Sequence, residues 1–515
     1  MDLNNTRNLR DLLRNAGSEY ADRVMVRFEY DNHIIDTTYG SFLAYAERVG
    51  AWAESEAEKL GRPLHIATFG SPGRWLLTTI FGVVISGNVI VPLDVQMNLE
   101  TLADTMDRAD IDCIFYDTEH TNLVYAACEK AGVEQHYMLQ TDRGHYPSLG
   151  DIYAEFEGQV CRSEIDEKSM AMILFTSGTT GKSKGVMLSH ANLIDNTFCS
   201  EQTAGNGFDP NAPANILCVL PLHHVFCLNS DIFLSLRHGW TICLNGDLKQ
   251  LSGHLKLFNP IRMSAVPAIS KALMNRMKLM EEQDPERDRA EIVKEVMGEK
   301  FARITSGGGY LPPELAKDFR DRGIEIGQGY GMSECSPKIS VPVYERPDKA
   351  ASIGKPVDRC EVKIVDNEIV VKSPSVMMGY YKDPEETKKA IDDDGWLHTG
   401  DLGYIDEEGF IYLTGRKKNL IILSNGENVA PESIENMFAG VQLVQEIVVY
   451  GSKDVITAEI YPNYPWAKEC GIKDVGMSLN KAVKKVNEKL ASYQRIMQVR
   501  VRQRPFPKTS SNKIN

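Results

Sequence analysis

The stretch Ile173–Gly185 reads ILFTSGTTGKSKG, an apolar run that enters a loop of hydroxyls, glycines and lysines. Glycines let backbone N–H groups approach phosphate oxygens, hydroxyls donate to those oxygens, and lysines supply positive charge. Thr176, Ser177, Thr179, Thr180, Lys182 and Lys184 crowd one turn region, with Gly178 and Gly181 between them. That is the composition of a polyphosphate cradle. It is not a P-loop of the G-x-x-x-x-G-K-[ST] kind, because Thr176 stands where that motif needs its first glycine.

Working outward, 515 residues suffice for more than one domain, and 43% hydrophobic with 25% charged residues is a globular composition. A net charge of −14 argues against general affinity for nucleic acid or anionic membranes, so a nucleotide would be met by local basic groups. The ten cysteines are scattered, without a C-x-x-C pair or metal-ligand spacing, and read as reduced thiols of a cytoplasmic protein. The N-terminus MDLNNTRNLRDLL lacks a secretory pattern. Leu76–Leu93, the most apolar stretch, is interrupted by Gly82, Gly87, Asn88 and Pro92; it is expected to be a buried helix and strand, not a transmembrane segment.

From about residue 20 to 400, helical patterns alternate with short β-branched runs such as Leu64–Phe69, Val89–Leu93, Cys113–Tyr116 and Ile216–Leu220. The expected fold class is α/β: a large N-terminal domain of layered sheets and helices, residues 1–416, followed by a small α+β domain, residues 417–515. EVKIVDNEIVVK at 361–372 predicts a hairpin turning at Asp366-Asn367. Pro431 is expected to open a helix, Leu479–Glu488 to form a basic amphipathic helix, and the charge-rich Glu281–Glu299 to be a solvated helical segment.

Four further motifs follow the loop: GQGYGMSE (Gly327–Glu334), HTGDLG (His398–Gly403), TGRKKNLI (Thr414–Ile421) and PKTSSNK (Pro507–Lys513). Together, in this order and spacing, they resemble the adenylate-forming superfamily, which includes acyl-CoA synthetases, aryl-CoA ligases, luciferases and peptide-synthetase adenylation domains. The resemblance runs along nearly the whole chain. It implies an enzyme that uses ATP and Mg²⁺ to convert a carboxylic acid into an acyl-adenylate and then passes the acyl group to a thiol.

The resemblance also implies roles. Thr176, Ser177, Gly178, Thr179, Thr180, Gly181 and Lys184 would hold the β- and γ-phosphates. Gly308 and Gly309, in Ser306–Tyr310, would pass beside adenine and the acyl pocket. Tyr330, beside Gly331, would offer its ring to adenine, Ser333 its hydroxyl to the α-phosphate, and Glu334 a carboxylate to Mg²⁺. Asp401 would accept the ribose hydroxyls and Arg416 would contact ribose or phosphate. His224, in LPLHHVFCLNS, would stand near the substrate carboxylate. Lys513 would be the catalytic lysine bridging α-phosphate and carboxylate, Lys418 the hinge, and Gly426 a lining of the pantetheine channel. Asn512, Asn428 and Ile422 depart from common family residues, and the F-D-x-S pattern of amino-acid-activating members is absent.

LPLHHVF, SGGGY and RKKNLIILSNGENVAPE look most like bacterial medium- or long-chain acyl-CoA ligases, with CoA as acceptor. The end of the chain soon after Lys513 leaves room for a second reading, a ligase that loads the phosphopantetheine arm of a carrier protein in a peptide or polyketide pathway. Trp240, Phe226, Met263 and Ile339 fit either an apolar tunnel or a core.

Overall fold

The computed structural model describes residues 3–139, 147–176, 183–199, 212–423, 427–452 and 455–508. Two seven-stranded sheets organise the first 380 residues. One runs in the order Glu325–Gln328, Arg303–Ser306, Arg262–Ala265, Asn215–Cys218, Thr241–Leu244, Val24–Tyr30, His33–Thr38, and all its pairings but the last are parallel. The other runs Gly379–Tyr380, Lys184–Ser189, Met170–Thr176, Val89–Pro92, His65–Phe69, Cys113–Tyr116, Gln135–Met138. It is parallel from Met170–Thr176 to its far edge and antiparallel at the near one. Parallel strands need both faces covered, and the near-continuous apolar runs IATF and VIVP supply strands buried on both sides.

Leu76–Leu93 divides as expected. Arg74–Ile85 is a helix buried from Leu76 onward, and Val89–Pro92 is a central strand. Among the described residues no helix is long and apolar enough to cross a membrane. Glu281–Glu299 is not one segment: helix Pro267–Gln283 ends at Asp284, and a second helix, Arg289–Met297, buries Ile292 and Val296. Pro285 accounts for the break, since the residue before a proline is pushed out of the helical region.

A four-stranded antiparallel sheet, Glu361–Val365, Glu368–Lys372, Leu397–Ile405 and Ile411–Arg416, follows. Asp366 and Asn367 sit at φ 50° and 64°, the left-handed pair that a tight two-residue hairpin requires. Lys417–Asn419 is a single 3₁₀ turn with exposed side chains. From Ile421 on, the chain builds its own hydrophobic cluster around Val429, Phe438, Ala458, Ile460 and Leu479. Its sheet is Val444–Ser452, Val455–Pro462 and Ile496–Val501, and helices Pro431–Asn436 and Val475–Asn487 pack on it. Pro431 occupies the first turn of its helix, as expected.

Candidate active site

The phosphate-loop candidates hang from a hairpin. Strand Met170–Thr176 pairs antiparallel with Lys184–Ser189, and Thr176 faces Lys184 across the ladder. The intervening Ser177, Gly178, Thr179, Thr180 and Gly181 lie outside the described residues, as do Gly426 and Lys513. Lys184 is held on two sides: its ammonium pairs with Glu386 and lies 4.8 Å from the centre of the Tyr380 ring. The Tyr380 hydroxyl in turn donates to Glu334 Oε1 at 2.9 Å. The ends of the hairpin and the GYGMSE segment are therefore joined through one tyrosine.

Ser333 and Glu334 stand half-buried in a 3₁₀ turn, fixed by the Met377 N–H, which donates to the Glu334 carbonyl at 2.9 Å. One carboxylate oxygen of Glu334 takes the Tyr380 bond. A carboxylate has lone pairs beyond that single contact, and a hard divalent cation prefers such oxygen donors. The donor set thus fits a magnesium ion shared with a phosphate.

On the other side of the segment, the Tyr330 hydroxyl donates to Asp401 Oδ2 at 2.6 Å, and Arg416 Nε lies 2.9 Å from Asp401 Oδ1. Asp401 is 6% exposed, so a buried carboxylate meets one phenol and one guanidinium. Burial, with the adjacent carboxylate, pushes the Tyr330 phenol well up, so it stays a donor. Gly331 has a packing role that the sequence did not show. A Cβ there would lie 2.0 Å from the Pro337 carbonyl oxygen, so any larger residue would displace the turn that carries Glu334.

The glycines of Ser306–Tyr310 were read as room for a ligand. Gly307 has a nearer reason: its missing side chain is replaced by the Phe226 ring, 2.8 Å from an ideal Cβ. Gly308 needs its freedom for φ 73°, and Gly309 has only the Pro267 ring close by, at 3.4 Å. Of the four apolar residues with two possible roles, Trp240, Met263 and Ile339 are core, each at most 2% exposed. Phe226 alone stays partly open.

His224 begins the turn Val225–Cys227, its ring centre 4.2 Å from that of His223. His223 Nε2 is 3.9 Å from Asp94 Oδ2, and burial pushes its pKa down, so it is neutral near pH 7. No described contact joins His224 to Glu334 or Asp401. Just beyond, Cys218 Sγ and Cys227 Sγ are 3.1 Å apart, within reach of the buried Asp231. Nine residues of separation hid this group from a reading by sequence spacing.

Glu368 was also missed. Its buried carboxylate accepts the Gly400 N–H at 2.9 Å and the Lys417 ammonium at 2.8 Å, and lies 3.3 Å from His398 Nδ1. It ties the HTGD strand to the residue before Lys418. Burial alone would raise its pKa, but Lys417, Gly400 and His398 outweigh burial and hold it below the usual carboxylate range. Across the same boundary, Glu432 accepts the Arg416 N–H at 3.4 Å, and Ala430 packs where Gly415 lacks a side chain. Lys418 is exposed, its pKa pushed down by partial burial and by Arg416.

A cavity of about 750 Å³ lies in the small unit between Asn419–Leu423, helix Pro431–Asn436 and Ile447–Gly451. Its lining includes Glu432, which accepts the Arg416 N–H, but not Glu334, Tyr330 or Asp401 themselves.

The long-chain-fatty-acid–CoA ligase of Bacillus subtilis strain 168 is 33% identical over 310 residues, covering 57% of this chain and 52% of that protein. The Escherichia coli O6:H1 ligase of the same name is 29% identical over 316 residues, covering 58% and 53%. The chain thus spans about half the length of these curated relatives. The 2-succinylbenzoate–CoA ligase of Bacillus anthracis is 29% identical over 406 residues, with 77% and 76% covered. Among solved structures, the o-succinylbenzoate CoA synthetase of Bacillus subtilis with its acyl-adenylate superposes with a TM-score of 0.78 at 23% identity, covering 98% of this chain and 96% of that one. At that identity the likeness shows the fold. The family model for AMP-binding enzymes matches residues 13–381, and the model for the C-terminal domain of AMP-binding enzymes matches residues 418–515. The chain belongs to the AMP-binding enzyme family.

Proposed function

We propose that the protein is an ATP-dependent acid–thiol ligase, forming an acyl-adenylate and then a thioester on a phosphopantetheine thiol, either free CoA or the arm of a carrier protein. The observation that carries this reading is a pair of carboxylates, the buried Asp401 held by Tyr330 and the half-buried Glu334 at the other end of the same segment. Asp401, between Tyr330 and Arg416, offers buried acceptors to ribose hydroxyls. Glu334, steadied by Tyr380 and hence by Lys184, faces the side of the phosphate hairpin. In this reading the sugar of one nucleotide lies at the Asp401 corner and its phosphates at the hairpin.

In the first step a carboxylate oxygen attacks the α-phosphorus of ATP and the bond to pyrophosphate breaks. In the second, the thiol adds to the activated carbonyl, AMP departs with the bonding pair, and the thiol proton is released. The catalysis asked of the protein is positioning and charge stabilisation. In this reading the Tyr330 ring lies against adenine, Gly308 and Gly309 line its edge, and Ser333 donates to the α-phosphate. Thr176, Lys184 and the loop between them hold the outer phosphates. Glu334 would hold magnesium, which when bound neutralises phosphate charge. His224 borders the substrate carboxylate, and Lys513 supplies a cation where charge develops. Residues 1–416 and 417–515 act as two domains, re-oriented at Lys418 between the steps.

The names of the relatives favour a fatty acid, and their CoA acceptor supports the thiol chemistry. A cytoplasmic setting belongs to the same reading, in keeping with ten free cysteines, nine of them buried. The test is pyrophosphate release with fatty, aryl and amino acids, each with and without CoA. Sustained release with fatty acids and accumulation of thioester bears the proposal out. Absence of release with every acid overturns it.

A further inference from the structure

Charge is unevenly divided along the chain. Residues 464–508 hold eleven Lys and Arg against three Asp and Glu, a surplus of eight positive charges in a chain of net charge −14. Arg502 and Lys508 are paired, with Glu459 and Glu446. The other nine cations are exposed, and among the described residues none of them forms an ion pair. Elsewhere the surface holds both kinds, Arg346 paired with Asp348 and Glu408 but Lys249, Lys300 and Lys388 exposed without an ion pair among the described residues; what sets residues 464–508 apart is the surplus of cations over acids.

The helix Val475–Asn487 concentrates the effect. Leu479, Val483 and Val486 are its buried stripe. At 3.6 residues per turn, Met477, Lys481, Lys484 and Lys485 project from the opposite side. Met477 is 58% exposed. Asn487 then ties the helix to strand Ile496–Val501 through two 2.9 Å bonds with Ile496. That strand is the free edge of its sheet and exposes Met497, at 71%, and Arg500.

We infer that this basic face docks an acidic protein, namely the carrier that presents the acceptor phosphopantetheine arm. The inference rests on the thioester-forming reading and names which of its two acceptors the surface fits. Lys481, Lys484 and Lys485 share their helix face with the exposed Met477, an apolar contact that the phosphates of a CoA molecule do not call for. An anionic membrane is disfavoured, because an extended charged plane meets the acidic remainder of the chain as well. A small acidic partner meets the patch alone, since screening confines each interaction to about 10 Å. Interfaces of this kind gain chiefly in association rate and orientation, which is what delivery of a tethered thiol requires.

The experiment compares wild type with the triple variant Lys481→Glu, Lys484→Glu, Lys485→Glu. Its readouts are pyrophosphate–ATP exchange, acyl transfer to CoA, and acyl transfer to the purified holo carrier protein of bacterial fatty-acid synthesis. Binding of the apo carrier and of phosphatidylglycerol vesicles is measured separately. The expected result is exchange and CoA transfer within about twofold of wild type, with carrier kcat/KM and apo-carrier binding lower by about tenfold or more. Equal loss with CoA and carrier, no carrier binding by wild type, or a variant that loses only vesicle binding overturns the inference. Absent exchange in both proteins refutes the adenylation reading instead, and apo-carrier binding still tests the surface.

Discussion

The corner around Asp401 and the unit beyond Lys417 handle charge in opposite ways. Asp401 has a partner on each oxygen, and Glu368 gathers three donors from two segments. Among the described residues of 464–508, nine cations stand without an ion pair, and in the same unit Glu435 accepts the Val449 N–H at 2.7 Å. A satisfied network fixes side chains before any ligand arrives, the preorganisation that a nucleotide site needs. Unpaired surface charge is instead an offer to a partner that comes and goes. The lesson is that one chain separates a rigid chemical corner from an electrostatic surface, joined by a three-residue turn.

The strongest way to break this comparison is Lys513→Ala, which removes a cation the proposal assigns to the corner although it lies in the small unit. Adenylate formation should fall by about a thousandfold, as for loss of a charge-stabilising group, while thioester formation from supplied acyl-adenylate stays within a few-fold. Equal loss of both half-reactions would dissolve the division of labour. Asp401→Asn comes next. It leaves the shape and removes the charge facing Arg416, so kcat/KM for ATP should fall by about a hundredfold, carried mostly by KM. An unchanged ATP dependence would remove the ribose assignment.

Glu368→Gln sharpens the boundary between the two regions. The carboxyl is held below the usual range, so it binds fewer protons folded than unfolded. It therefore adds stability above the unfolded carboxyl pKa, which is lost as pH falls through the depressed folded value. The variant should lose about 2 kcal/mol near pH 7, read as a denaturant midpoint, and the difference should close below about pH 4. A pH-independent difference would mean that shape, not charge, matters there.

Much of this was legible in the sequence, for identifiable reasons. Apolar runs such as Ile66–Phe69 and Val89–Pro92 set buried parallel strands, and Asp366-Asn367 set a hairpin by its left-handed preference. Tyr330, Glu334 and Asp401 came from motifs; in the fold the Tyr330 hydroxyl donates to Asp401, while Glu334 takes its hydrogen bond from Tyr380. Tyr380, Glu386 and Glu368 carried no motif, because their meaning comes only from partners 30 to 202 positions away. Gly307 was read as an opening toward a ligand, yet the Phe226 ring fills that space, and at Gly331 the Pro337 carbonyl stands where a side chain would be. A glycine in sequence shows that something approaches closely and leaves unsaid what it is.

The smallest expected effect probes the interior of the small unit. Glu435 lines the 750 Å³ cavity there, and burial, eased only partly by the Val449 N–H, pushes its carboxyl up to about 7. The folded state then holds a proton that the unfolded chain, with a carboxyl near its ordinary value of 4.5, releases. Stability should therefore fall as pH rises from the unfolded value through about 7 and stay reduced above it. Glu435→Gln keeps an acceptor for Val449 and abolishes the titration. It should gain about 1 kcal/mol over wild type at pH 8, after allowance for partial exposure to solvent, and nothing at pH 4. A gain of equal size at both pH values would mean that the carboxyl is not titrating. Loss of stability at pH 8 would show that the charge is welcome in the cavity, and that the small unit pairs its interior charges as the Asp401 corner does.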